Sequence, residues 1–287
     1  MFIDDQYRPE GALRQTLRMI ECAHVLAEAN ADQVALCRNG ADIDAALAEN
    51  KIALVLALES APGIDASVEL FSTLYRLGVR IASIAHWGRT PLADGSREDA
   101  TGSRLTAPGV RALREMERLG MLFDISHLSA SGVSHVLELA TRPLIATHSC
   151  ARAAGPPPQP HRRPDPGCGR HRRHGVRELR PGLSHRRPGQ GERRPGRRPH
   201  RTHHLRGRHR HVGLGSDFIR EVTADVTPPC CENADDEDPL FDFPGLAGPA
   251  GMPLVTEAMV RRGLPEEDIL AVLGGNMRRL VSKYMGP

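Results

Sequence analysis

No run in this chain approaches the roughly 18 apolar residues that a membrane-crossing helix needs, and no basic-then-apolar leader opens it. The tail, residues 281–287, is too short for a lipid-anchor signal. A soluble cytoplasmic protein with no membrane partner is the expectation. The six cysteines, at 22, 37, 150, 168, 230 and 231, form no Cys-x-x-Cys pair. That argues against a zinc knuckle or a disulfide framework and for free thiols. The glycines complete no Gly-x-Gly-x-x-Gly pattern, so the Gly213-x-Gly215 spacing is weak support for nucleotide binding.

Acidic residues and lysine are scarce in one stretch only. The chain has 38 basic and 35 acidic residues, for a net charge of +3. Residues 155–211 hold 17 arginines, no lysine and three acids, a local charge of +14, which leaves −11 for the remainder. Arg, His, Pro and Gly fill 45 of these 57 positions, with no aromatic residue and only four Val or Leu. Such a segment cannot bury enough apolar surface to offset its ordering entropy, and disorder is the expectation. One reading is a polybasic arm that binds polyanions, with affinity falling steeply in salt. The other is GC-rich DNA translated out of frame. Shifted one base downstream, plausible codons for residues 156–160 read His-Pro-Arg-Asn, and those through residue 179 read as a helix followed by a strand. The out-of-frame reading is preferred on that ground, with the frame restored by about Val212.

What is present is a repeated pattern. Five short apolar runs each end on a residue able to bind a metal or move a proton: 52–58 on Glu59, 79–85 on His86, 121–126 on His127, 144–147 on His148, and 212–216 on Asp217. Each run suits a buried strand and is too short for a typical helix. Helical segments are predicted between them. Residues 64–77 carry apolar positions near helical spacing and are closed by Gly78; Thr106 caps a helix containing Pro108 and ending at Gly120; Ser129 or Ser131 starts another. Residues 254–262 and 265–273 form a helical pair divided by Gly263 and closing at Gly274-Gly275-Asn276. Alternating βα units imply an α/β fold with a parallel sheet. Functional groups at successive strand ends are the active-site address of a (β/α)8 barrel, for which about 250 residues suffice. Periodicity alone does not separate that barrel from an open sheet.

A carboxylate at the Glu59 position can bridge two divalent ions, or it can be a solvated residue opening a loop. His127, in Phe-Asp-Ile-Ser-His, and His148, in Ile-Ala-Thr-His-Ser, are 21 residues apart at equivalent places in consecutive units. Either alone reads as an ordinary core or surface histidine; together they point to metal ligation, and neutral imidazoles at roughly 2 Å suit zinc. His86, beside the single Trp87, is open between a donor to a developing oxyanion and a structural histidine. Asp217, in Gly-Leu-Gly-Ser-Asp-Phe, is open between a proton carrier and a turn or cap residue.

With these residues assembled, the chain resembles the membrane dipeptidase (renal dipeptidase) family of zinc peptidases over about residues 40–152 and 212–281. Leu58-Glu59, Ala85-His86, Asp-Ile-Ser-His-Leu up to Leu128, Thr-His-Ser, Gly213 to Phe218, and the closing Arg-Arg-Gly, Glu-Glu-Asp-Ile-Leu and Leu-Gly-Gly-Asn carry the likeness in the family's order. The resemblance implies a TIM-like barrel of the metal-dependent hydrolase type forming one domain over 1–287, interrupted by 155–211. It implies that Glu59 bridges two zinc ions, that His127 and His148 hold one of them, that His86 contacts substrate near the scissile carbonyl, and that Asp217 handles the proton. The substrate it implies is a dipeptide, and a homodimer is an open expectation. The family's opening His-x-Asp, which serves the other zinc site, occurs nowhere in this chain. An incomplete barrel lacking its first strand, with a compromised second zinc site and an inactive chain, is the corresponding expectation. The rival readings are a barrel remnant without chemistry, or polyanion binding through 155–211 with no specific nucleic-acid partner.

Overall fold

The computed structural model describes Met1 and residues 11–149, 177–179, 209–218 and 248–286. It begins with a long helix, α1 (Ala12–Ala29), and then β1 (Val34–Leu36), α2 (Gly40–Ala48) and β2 (Ile52–Leu54), with β1 and β2 paired in parallel. The main sheet follows: β3 (Leu56–Leu58), β4 (Val79–Ala82), β5 (Leu122–Asp124) and β6 (Leu144–Ala146), neighbours in that order and all parallel. Helices α3 (Leu70–Arg76), α4 (Ala107–Leu119) and α5 (Ala130–Leu139) make the crossovers. This is the βα alternation that the apolar runs predict. Met1 lies along the other edge of β3: its amino group donates to Ala57 O at 2.7 Å, and its carbonyl accepts from Glu59 N at 2.9 Å.

Strand alternation gives the sheet two apolar faces. Leu58, Ala82, Phe123, Leu144 and Ala146 join the large core with Phe71, Leu74, Leu113, Met116 and Val136 from α3, α4 and α5. Ile81, Leu122 and Ile145 face the other way, against Leu280, Val281 and Met285. These belong to α8 (Asn276–Tyr284) and the residue after it, the last helix of a carboxyl group that also contains α6 (Met252–Arg261) and α7 (Glu266–Leu270). None of the described helices is long and apolar enough to cross a membrane.

Local chemistry explains the helix ends. Thr106 Oγ1 accepts from Gly109 N at 3.1 Å, Pro108 sits in the first turn, and Gly120 leaves α4 in the left-handed conformation at φ 78°. Ser129 rather than Ser131 caps α5, accepting from Gly132 N at 3.1 Å.

Several expectations need correction. The run 52–58 is two strands in different sheets, because Val55 interrupts the ladder. The helix predicted over 64–77 is regular only from Leu70: Asp65 takes φ 46° and breaks the helical path, although Ile64 and Val68 are buried. Residues 212–216 form no named strand, so Asp217 stands on a loop. The closing pair does not stop at Asn276; the chain kinks at Gly274 and continues as α8. Within 155–211, where disorder is predicted, Arg177–Leu179 forms β7, antiparallel to β6, and His209–His211 makes a 3-10 turn. Backbone pairing and carbonyl contacts hold these pieces, needing no apolar side chains: Asn276 Nδ2 donates to His209 O at 2.5 Å and to Val212 O at 2.8 Å. The remaining residues of 155–208, and the motif sought at 156–160, lie outside the described residues. Closure of the strands into a barrel is not seen among the described residues.

Candidate metal centre

Glu59 follows β3 directly, and its Oε1 lies 3.0 Å from His127 Nε2, 3.3 Å from His148 Nε2 and 3.7 Å from His86 Nε2. Four of the five sequence-selected residues, separated by up to 89 positions, therefore meet at one carboxylate oxygen. The three rings pack in a row, each tilted 53° to the next, His86 to His127 at 4.1 Å and His127 to His148 at 4.7 Å between centroids. The backbone is bent to achieve this. Ser60 and Ala61 beside Glu59, His127 itself, and Asp217 all have positive φ, at 65°, 39°, 64° and 49°. Non-glycine residues held there cost about 1–3 kcal/mol each and collect at functional sites.

Parallel pairing brings the β5 and β6 tips together, and Asp124 locks them. Its Oδ1 accepts from Ser126 N at 2.9 Å and Thr147 N at 3.2 Å; its Oδ2 accepts from Thr147 Oγ1 at 2.5 Å. Thr147 Oγ1 is also 2.8 Å from His148 Nδ1. Asp124 and Thr147 sit inside the two histidine motifs, and apolar-run spacing points to the histidines alone. A carboxylate three residues before one ligand and a hydroxyl just before the other was the available signal.

His86 comes four residues after β4, on a loop folded back on itself. Gly95 N donates to Gly88 O at 3.1 Å, Ser96 N to His86 O at 3.1 Å and Arg97 N to Trp87 O at 2.9 Å. The buried Asp94 fastens the loop, accepting from Arg89 Nε at 2.6 Å and Thr101 Oγ1 at 2.5 Å. Trp87 stacks on His86 at 4.7 Å, and Arg97 covers the Trp87 ring at 3.9 Å. Asp217 arrives by a close crossing. A Cβ on Gly215 would fall 1.7 Å from Thr147 O, so only glycine lets this loop pass over the β6 tip. The negative charge of Asp217 then acts on His148.

Burial pushes the Glu59 carboxyl upward, but hydrogen bonds and charge from His148 and His127 outweigh it and hold it well below the usual carboxylate range. Burial lowers the affinity of His148 for a proton; its hydrogen bond to Glu59, with the charges of Glu59, Asp124 and Asp217, reverses this and leaves it raised. An ionised carboxylate clustered with imidazole nitrogens is a donor set for a divalent cation. Glu59, His86 and His127 each offer an atom, all within 4.8 Å of one another, and two ligands of a tetrahedral ion at about 2 Å stand about 3.3 Å apart. The spacings around Glu59 Oε1 bracket that value. The residues present fit a metal ion, and the geometry adds His86 to the group able to hold one.

The family profile of membrane dipeptidases (peptidase family M19) matches residues 1–161 of this chain. The chain belongs to that family. Among relatives, dipeptidase verJ of Clonostachys rogersoniana is 26% identical over 283 residues, covering 97% of this chain and 66% of that protein. Human dipeptidase 3 is 29% identical over 153 residues, covering 52% and 30%. The chain thus spans about two thirds or less of the length of these relatives. A metallopeptidase from Rhodobacter sphaeroides, solved with a phosphinate mimic of the dipeptide L-Ala-D-Ala, superposes with a TM-score of 0.66 at 21% identity, over 99% of this chain and 77% of that one. A solved M19 dipeptidase gives 0.65 at 22% identity, over 94% and 77%. The chain therefore shares the α/β fold of these solved metallopeptidases.

Proposed function

We propose that this chain hydrolyses dipeptides with the help of a divalent metal ion, zinc being the ion its donors suit best. The observation that carries the reading is the meeting of three imidazole Nε2 atoms, within 3.0–3.7 Å, at one oxygen of Glu59. Membership of a dipeptidase family supports the substrate class. Glu59, His127 and His148 would hold the ion. When bound, the ion supplies Lewis acidity, polarising a carbonyl and acidifying water at neutral pH.

The chain's own residues complete the reaction. His86 donates a hydrogen bond to the carbonyl oxygen as it gains negative charge. Asp217 removes a proton from the attacking water and returns it to the departing amine. The Asp94–Arg89 loop and the Trp87 stack hold His86 in place, and the Gly215 crossing positions Asp217.

The test uses the purified chain, stripped of metal and titrated with zinc in the presence of a panel of dipeptides that includes L-Ala-D-Ala. Stoichiometric zinc binding with zinc-dependent cleavage is the expected result. Zinc binding without cleavage of any dipeptide leaves a metal-binding fold and removes the hydrolase; no binding at all removes the metal as well.

A further inference from the structure

We infer that Asp124, acting through the Thr147 hydroxyl, is the positioning device that keeps neutral His148 in the tautomer with a bare Nε2, and so makes it a ligand. The inference rests on the metal-centre reading above. It concerns residues one bond further out, to which the reaction itself assigns no role.

Thr147 Oγ1 has one hydrogen to donate. Its shortest contact is the Asp124 Oδ2 carboxylate at 2.5 Å, whereas Ser126 Oγ is 3.3 Å away. Hydrogen bonds from a hydroxyl to a carboxylate are the short, strong ones, so the Thr147 hydrogen goes to Asp124. At its other partner, His148 Nδ1, 2.8 Å away, Thr147 can then only accept. His148 Nδ1 must carry the hydrogen, which leaves Nε2 of the neutral ring with its lone pair exposed. That nitrogen faces the centre: in the protonated ring it donates to Glu59 Oε1, 3.3 Å away, and in the neutral ring it is left to His127 Nε2, 2.6 Å away. Two imidazole nitrogens at that separation need one hydrogen between them, and a bare His148 Nε2 is the acceptor for it.

Asp124 is suited to this task. It is 5% exposed, and its other oxygen takes the Ser126 and Thr147 amides. One buried carboxylate therefore sets the spacing of the β5 and β6 tips and the tautomer of the ligand on β6. A ligating histidine needs its second nitrogen tied down, and loss of the tie typically costs about 10- to 100-fold in metal affinity.

The experiment takes the full chain labelled with nitrogen-15 at histidine, metal-free and in alkaline solution where the ring is neutral. Nitrogen shifts for His148, assigned by comparison with His148→Gln, are expected to report hydrogen on Nδ1 and none on Nε2; hydrogen on Nε2 overturns the inference. In parallel, zinc affinity is measured for Thr147→Val and Thr147→Ser. Valine, which can neither relay nor accept, is expected to weaken zinc about 10- to 100-fold and to release the tautomer; serine, which restores the hydroxyl, is expected to recover both. A Thr147→Val protein that keeps the parent's tautomer and affinity sinks the proposal, and so does failure of serine to rescue. If Thr147→Val does not fold, the parent spectrum and the serine variant still decide. If the parent binds no zinc, the metal reading fails, and the tautomer alone decides the relay.

Discussion

Helices α4 and α6 are of similar length, yet α4 buries Gly109, Ala112, Leu113, Met116 and Glu117 while α6 buries none of its residues in the described structure. On α6, Leu254 is 45% and Val260 59% exposed. The contrast extends to the regions they belong to. The βα run from β3 to β6 is packed on both faces and carries Glu59, His86, His127 and His148 on its tips. The carboxyl part touches the sheet through α8 and reaches the site through one loop, where Gly215 crosses Thr147. On the proposed mechanism, metal ligation is thus built into the well-packed region, and proton handling is delivered from the less buried one.

The sharpest way to break this division is Glu59→Gln. Neutralising the shared oxygen should reduce zinc binding and dipeptide cleavage to background in a protein that still unfolds cooperatively, at some cost in stability because the ionised carboxylate is held by its histidines; an active variant would show that the four-residue cluster is not the centre. Next comes the packed region itself. Phe123→Ala removes a side chain 2% exposed and should cost about 3–5 kcal/mol in denaturant unfolding; a loss below 1 kcal/mol, roughly, would mean the core is far looser than it looks.

The delivery loop is tested by Gly215→Ala. The new methyl would overlap Thr147 O, so a cost of about 1–3 kcal/mol is expected. Turnover should fall further than zinc affinity, because Asp217 is displaced while Glu59 and His127 stay. Equal losses in both would place the loop's role at the metal rather than the proton.

Asp94 gives a pH-dependent handle on the His86 loop. Its hydrogen bond with Arg89, helped by Thr101 and Ser103 and opposed by burial, holds its carboxyl at about 2, against an ordinary 3.8. A folded value below the unfolded one contributes stability above the ordinary value, which is lost as pH falls through the folded one. The parent should therefore lose stability between about pH 4 and pH 2 more steeply than Asp94→Ala. The variant itself should be weaker by about 1–3 kcal/mol at neutral pH, from the lost hydrogen bonds. Parallel acid curves for the two proteins would remove Asp94 from this role. The smallest effect belongs to α6: Leu254→Ser should move stability by no more than about 0.5 kcal/mol, and a larger loss would reveal a covered face.

Much of the packed region was legible before any coordinates. The tips bearing Glu59, His127 and His148 follow short apolar runs, Thr106 announces its cap while the next is open between Ser129 and Ser131, and Gly120 ends α4 because a left-handed residue is needed there. Strand breaks were harder. The apolar run over 52–58 gives no hint that Val55 divides two sheets, since apolarity reports burial and not which neighbour supplies hydrogen bonds. Residues 209–211 looked unable to order by composition, but Asn276 and Asp268 hold them through a backbone carbonyl and a side-chain contact. Composition says nothing of bonds made by distant partners.

Residue type and local spacing by themselves determined that this chain builds parallel βα units and that a carboxylate and three histidines stand at loop positions after strands. They determined this because burial and capping are decided within a few residues. The tertiary structure alone decided that the three imidazoles gather at one oxygen of Glu59 and that Asp124 reaches His148 through Thr147. Strand order and register set these distances, and both depend on pairing between segments that lie far apart along the chain.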